Sequence, residues 1–261
     1  MINELIVLKD AAWLERQKHA GLCVANILKE CGNTIEAGTA NLSLKDLEQI
    51  AYKYFKIYNC IPTFLNYDGF PNAICTSVNE DVVHGIVTDY ILQPGDVVSV
   101  DVGATFEGAI GDAARTWIYG EPKNNLHVEL LNAGKKALKA GQEAVKIGNR
   151  IGAIGFAINK AVCHTRFKCI TNYGGHGLEY NKPHTDPFVA NKQAQNEGAH
   201  IVPGLSIAIE PMLVIGSPRT KIKEDGFTVK VDSISCHFEN SITVMEDGIH
   251  IITEIPDEHG F

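Results

Sequence analysis

The sequence predicts an α+β fold built from two similar halves, and three observations lead there. The expected elements run helix, helix, strands, and then helix, helix, strands again. Residues 94–101 read PGDVVSVD and residues 203–210 read PGLSIAIE, so each half has a Pro-Gly start and then a carboxylate inside an apolar strand. The 261 residues are 45% hydrophobic and 21% charged, an ordinary globular composition. A chain of that length buries roughly 75% of its unfolded surface without staples. No low-complexity tract or long linker interrupts it. A single domain over residues 1–261 is expected, with halves at roughly 10–120 and 121–255.

The elements follow in order. Asp10 is a good N-cap for a helix carrying Trp13, Ala20, Val24 and Leu28, with a stop expected at Gly32-Asn33. Ser43 caps a second helix whose Leu44, Leu47, Ile50, Ala51 and Tyr54 form one apolar stripe. Strands are expected at Ala73 to Val78, Val82 to Ile86 and Val97 to Val102. The second half opens with a helix after Asn125 that carries Leu130, Leu131, Ala137, Leu138 and Val145 and ends by Gly148. A fourth helix is expected around Ile151 to Cys163. Further strands are expected at Lys168 to Thr171, Leu205 to Val214, Phe227 to Val231 and Phe238 to Met245.

Composition excludes several function classes. The formal net charge of -8 lacks the basic stripe of a nucleic-acid binder, and the run Lys221 to Lys223 is followed at once by Glu224 and Asp225. Seven cysteines, an odd number without CxxC spacing, give neither a disulfide framework nor a zinc knuckle. The apolar run Leu5 to Leu8 is too short for a signal peptide. No stretch approaches the ~20 apolar residues of a membrane span. A reduced, cytoplasmic protein is expected.

The carboxylates carry the chemistry. Strand side chains alternate faces, so Val98, Val100 and Val102 share one face and Asp101 the other. Leu205, Ile207 and Ile209 likewise oppose Glu210. If Thr105 to Gly108 form a turn, Asp101 and Asp112 lie across from each other on a hairpin. Like charges facing each other destabilise a sheet, and burial removes their hydration. Either one is protonated or a cation lies between them. Glu210, between Ile209 and Pro211, and Glu239, at the start of an apolar strand, repeat the problem. Oxygen ligands with one or two histidines suit first-row divalent ions, and two ions could share bridging acids.

Of ten histidines, His84 and His176 each precede a glycine, which permits close backbone approach, and each lies upstream of an acid-bearing strand. His184 lies in the same loop as His176. His19, His127, His164, His200, His250 and His259 have no such context and are expected to be surface or structural. Competing chemistry is weak. There is no GxSxG elbow and no phosphate loop, and the glycine-rich run at Gly148 to Gly155 has no strand before it.

His84-Gly-Ile, Asp101 with Asp112 in GDAART, Gly-His176-Gly, Ile-Glu210-Pro-Met and Glu239 resemble the motif series of type I methionine aminopeptidases of bacterial length, over about residues 10 to 255. The resemblance implies the pseudo-twofold pita-bread fold, a mostly antiparallel curved sheet with helices covering its outer face. It implies two divalent ions (Co, Mn, Fe or Zn) held by Asp101, Asp112, His176, Glu210 and Glu239, with Asp112 and Glu239 bridging. It further implies a metal-activated water, Glu210 as proton shuttle, and His84 and His184 as catalytic, substrate-binding groups. Tyr67, Phe70, Cys75 and Phe227, with Phe64 nearby, would form the methionine pocket, where a soft sulfur contact suits a thioether.

The implied substrates are the N termini of nascent polypeptides, at the ribosome or after release, with a small second residue. Neither nucleic acid nor membrane is an implied partner, and a monomer is expected. Three positions depart from the family pattern. His184 follows His176 by eight residues rather than seven, Pro183 stands where an aromatic is usual, and Asn240 follows Glu239 in place of a histidine. These departures bear on substrate positioning and pocket shape. The changed loop leaves an aminopeptidase with altered first-residue preference as a related reading, and the alternative from another class is a non-catalytic peptide-binding module of the same fold.

Overall fold

A computed structural model describes residues 6–255; His259 and the start of the Leu5 to Leu8 run lie outside them. Four helices, α1 (Ala11–Glu36), α2 (Leu44–Ile57), α3 (Asn125–Glu143) and α4 (Gly152–Val162), occur among the described residues with short, mostly antiparallel strands. The expected α+β duplication is present. In the first half, the strand Val97–Phe106 pairs along its length with Ala109–Ile118, and on its other edge with Ile61–Pro62 and Cys75–Val78. In the second, Ser206–Ile209 pairs with Asn240–Met245 on one edge and with Gly174–Glu179 on the other.

The repeated Pro-Gly marks equivalent turns. Gly95 and Gly204 have φ of 83° and 90°, a left-handed conformation that suits glycine. Gly95 N–H donates to the Tyr119 carbonyl and Gly204 N–H to the Val244 carbonyl, both at 2.7 Å.

Strand parity sorts the two halves in the same way. Val98, Val100 and Val102 pack against Cys23, Val24 and Ile27 of α1 in one buried core. Ile207 and Ile209 pack against Leu130 and Leu138 of α3 and Ile158 of α4 in another. Helices therefore cover the outer faces, and the acids are left on the inner ones.

α2 begins as expected: Ser43 Oγ accepts from Asp46 N–H, and the Asp46 carboxylate accepts from Ser43 N–H, a reciprocal capping box. Its stripe is completed by Phe55, with Tyr54 only half-buried against the core. Glu48 turns inward to accept from Ala73 N–H at 2.8 Å.

Other boundaries differ from expectation. α1 does not stop at Gly32 but runs to Glu36, because Gly32 is a packing glycine. A Cβ there would stand 2.6 Å from the Trp117 ring. α3 ends at Glu143, before Gly148. The strand expected over Leu205 to Val214 is two strands, broken at Glu210-Pro211. The segment read as one loop holding His176 and His184 is a hairpin of Gly174–Glu179 and Lys182–Ala190 with register shifts.

The halves meet along a seam between the strand Ala109–Ile118 and residues 237–241. Asp112 N–H donates to Ser241 Oγ, which donates back to Asp112 C=O, both at 2.8 Å. Glu239 N–H donates to Ala114 C=O at 2.9 Å. The Thr116 hydroxyl accepts from His237 N–H at 2.9 Å and donates to His237 C=O at 2.8 Å. Gln17 of α1 ties the halves from behind, donating to Ile110 C=O at 2.8 Å and Ser206 Oγ at 2.9 Å and accepting from Thr243 Oγ1.

Candidate metal centre and adjoining pocket

The hairpin sets the first pair of acids. Its register aligns Asp101 with Ala114 and Asp112 with Gly103. Asp101 and Asp112 are therefore diagonal neighbours on one face, not directly opposed as the turn placement suggested. The turn falls at Glu107-Gly108, and the two-residue offset keeps both carboxylates pointing into the same cavity.

The second half supplies the facing groups. Glu210 leaves the strand Ser206–Ile209 at the Pro211 break, His176 lies on Gly174–Glu179, and the seam carries Glu239 to the side of Ala114. Ligand atoms of Asp112, His176 and Glu239 lie within 4.8 Å of one another, as do those of Glu210, His237 and Glu239. His176 Nε2 is 3.6 Å from Glu210 Oε1. Asp101 belongs to neither of these triplets but lines the same cavity.

These acids are nearly inaccessible: Asp101 and Glu210 are 9% exposed, Asp112 and Glu239 2%. Asp101 Oδ1, Asp112 Oδ1 and Glu239 Oε1 are buried without a hydrogen-bond partner among the described residues. Burial pushes Asp101 up to about 7, with His237 pulling it down and Glu210 pushing it further up. Burial, then the charge of Asp101 and Glu210, raises Asp112 well above the usual carboxylate range. Burial, then Asp112, Glu210 and Asp101, does the same to Glu239. Burial would also raise Glu210, but the imidazoles of His237, His176 and His84 hold it below its ordinary value. Three raised acids and three orphaned oxygens cannot all be ionised without a cation. The oxygen-rich donor set, with the imidazole of His176 among it, fits divalent first-row ions.

The apolar side of the cavity, of about 220 Å³, is lined by Phe64, Tyr67, Phe70, Cys75 and Phe227. Cys75 pairs directly across from Asp101, so the strand register places the pocket beside the acids. Phe70 and Phe227 meet edge to face at 5.5 Å, and Phe64, Phe70 and Cys75 form their own buried cluster.

His84 follows the strand Asp81–Val83 with φ 57°, and burial holds it below the usual imidazole range. A Cβ on Gly85 would meet the Thr76 carbonyl at 2.1 Å, and one on Gly177 the Asp186 carbonyl at 2.0 Å. Both histidines are thus turned into the cavity by glycines pressed against a neighbouring strand. His184 is exposed at the rim, its ring 4.6 Å from His176 and 5.3 Å from Tyr67. The longer spacing, absorbed in a bulged hairpin, leaves it next to His176.

The other departures lie away from the cavity. Pro183 is buried and not among the residues that line it. Asn240 Oδ1 accepts from Arg115 at 3.1 Å and from Thr253 at 2.9 Å, on the side of the strand opposite Glu239. Arg115 also donates to the Glu239 carbonyl, which gives the arginine of the GDAART phrase a structural role. Of the histidines expected to be structural or superficial, His19 contacts the Tyr58 carbonyl at 2.7 Å, His127 is buried near the α3 cap, and His250 pairs with Asp247 on the surface.

Sequence reasoning missed one cluster member, His237. It is 1% exposed, with Nε2 3.3 Å from Glu210 Oε2 and 3.8 Å from Glu239 Oε2. Strand alternation could have found it, because 237 shares a face with 239. Phe238 between them turns into the outer core.

The chain matches the family model described as metallopeptidase family M24 over residues 15–246. It is 35% identical over 253 residues to methionine aminopeptidase of Clostridium acetobutylicum, covering 95% of this chain and 99% of that protein. It is 36% identical to methionine aminopeptidase 1 of Bacillus subtilis, covering 96% and 100%. Among solved structures, the crystal structure of methionine aminopeptidase from Thermotoga maritima is similar, with a TM-score of 0.91 at 36% identity and 96% and 100% coverage.

Proposed function

The chain belongs to metallopeptidase family M24, and on that premise we propose that it hydrolyses the N-terminal methionine from nascent proteins and peptides with a small second residue. The observation that carries the reading is one cavity with two walls. One wall presents Asp101, Asp112, His176, Glu210 and Glu239, and the other Tyr67, Phe70, Cys75 and Phe227. The relatives named methionine aminopeptidase support the substrate class.

Asp112 and Glu239, facing each other across the seam, would bridge two divalent ions. Asp101 would complete one site, and His176 with Glu210 the other. Bound there, such ions supply Lewis acidity and bring water's pKa near 7. The remaining work falls to this chain's own groups. The apolar wall takes the first side chain and excludes water from it. His84 and His184, both lining the cavity, hold the scissile carbonyl, and neutral imidazoles there donate to developing charge. Glu210 carries the proton from the attacking water to the leaving amine, its carboxylate being held ready to accept it by the imidazoles of His237, His176 and His84.

Which divalent ion operates, action at the ribosome, a monomeric state and a cytoplasmic location belong to the same proposal. Among the described residues, no helix is long and apolar enough to cross a membrane. The non-catalytic alternative fits poorly with a complete donor set. An altered first-residue preference is left to experiment. The deciding test is cleavage of a peptide panel with varied first residues, by chelator-treated and metal-reloaded protein. Methionine-selective cleavage that appears only on reloading is expected, and full activity of metal-free protein would end the reading.

A further inference from the structure

His237 stands behind the carboxylates, not among the groups that line the cavity. Its ring is 1% exposed and absent from the cavity wall. Its backbone is pinned on both sides by the Thr116 hydroxyl, which also contacts Ser99 Oγ at 2.8 Å. Its Nδ1 is buried without a hydrogen-bond partner among the described residues, an uncommon condition for a buried polar group, and its Nε2 faces carboxylates.

Glu210 is spanned by two imidazoles. Its Oε1 lies 3.6 Å from His176 Nε2 on the cavity side, and its Oε2 lies 3.3 Å from His237 Nε2 on the buried side. The same His237 nitrogen is 3.8 Å from Glu239 Oε2. One ring nitrogen thus lies within ion-pair distance of two carboxylates from different segments, at the point where the halves join.

We propose that His237 is a positioning residue for the metal centre: its Nε2–H holds the rear oxygens of Glu210 and Glu239 and so fixes which oxygen each presents to the cavity. The proposal rests on the reading of Glu210 and Glu239 as metal ligands. A carboxylate free to rotate offers its ligand oxygen in several orientations, and ordering it on binding costs affinity. A rear donor removes that freedom in advance, and outer groups of this kind are typically worth 10–100-fold in metal affinity. An imidazole suits the place because it brings a donor into a position that is 1% exposed.

The test compares wild type, His237→Gln, which keeps a donor of similar reach, and His237→Leu, which keeps bulk and loses the donor. Mn(II) affinity is measured by calorimetry and the Co(II) d–d absorption spectrum is recorded for each. The leucine variant is expected to bind Mn(II) about 10–100-fold more weakly with an altered cobalt spectrum. The glutamine variant is expected to stay within about threefold of wild type, well short of the loss of an outer group.

Equal affinity and spectra for leucine and wild type would overturn the proposal. If the leucine variant does not fold, His237→Asn replaces it: the shorter amide cannot reach both carboxylates, so weakened binding is expected, and wild-type affinity would overturn the proposal. Electron spin echo spectroscopy of Mn(II)-loaded wild type is expected to count one directly bound imidazole. Two would make His237 a ligand and end the positioning role. If wild type binds no metal at all, the reading of the acids as ligands fails first, and the proposal falls with it.

Discussion

Ser241 holds Asp112 by both of its backbone groups, accepting from the N–H and donating to the C=O at 2.8 Å each, from the opposite half of the molecule. Two residues along, Glu239 N–H donates to Ala114 C=O. The side chains of Asp112 and Glu239 are thereby brought together across the seam, their ligand atoms within 4.8 Å of each other.

Ser241→Ala should therefore disturb both stability and the acid cluster. It leaves a buried N–H and a buried C=O without their partner, at about 1–3 kcal/mol per group. A loss of about 2–6 kcal/mol in urea unfolding is expected on that basis, with weaker Mn(II) binding alongside. Unchanged unfolding would mean that the seam is held elsewhere.

The metal-free protein should lose stability as pH rises. Asp101 titrates at about 7 when folded, and Asp112 and Glu239 are also raised, against about 4 in the unfolded chain. Between these values the folded state holds protons that the unfolded state has released. The contribution of these three acids to stability is thus full below about 4 and falls as pH climbs through 7. A divalent ion replaces those protons, so Mn(II) should raise Tm more at pH 7.5 than at pH 5.5, and its binding should release protons. Calorimetry at the two pH values, with and without metal, checks this; a Tm increment independent of pH would contradict it.

The apolar wall should select the first residue. Met-Ala-Ser should be cleaved faster than Leu-Ala-Ser, and far faster than Met-Lys-Ser, by the metal-loaded protein. Cys75 pairs with Asp101 in the sheet, so Cys75→Phe should push the first side chain out and depress cleavage of every methionine peptide while leaving Mn(II) binding in place. Equal rates for the three peptides would make this a broad aminopeptidase.

His184, at the rim beside His176, should act on substrate and not on metal. His184→Ala is expected to leave metal content intact and to lower kcat by about 10²–10³, the usual effect of losing a donor to developing negative charge. Little of that loss should be recovered at high substrate. Loss of a metal equivalent would make it a ligand, and a change below about threefold would take it out of the reaction.

The sequence by itself determined what strand parity and local chemistry determine. The alternation in PGDVVSVD and PGLSIAIE placed Asp101 and Glu210 opposite apolar faces, and both faces are core. Ser43 with Asp46 carried its own helix start, and the pocket residues that the family resemblance implied, Tyr67, Phe70, Cys75 and Phe227, gather in one cavity with the acids. Only the tertiary structure decided pairing over long separations. The diagonal offset of Asp101 and Asp112 depends on where the turn falls. Gly32 is read locally as a stop, yet the distant Trp117 ring makes it a contact. His237 carries no motif of its own, and its meeting with Glu210 depends on the seam that sets Thr116 against it. Such contacts join segments tens to more than a hundred residues apart, and local propensity has no term for them. They are decided by which buried hydrogen-bonding groups find partners when the two halves close.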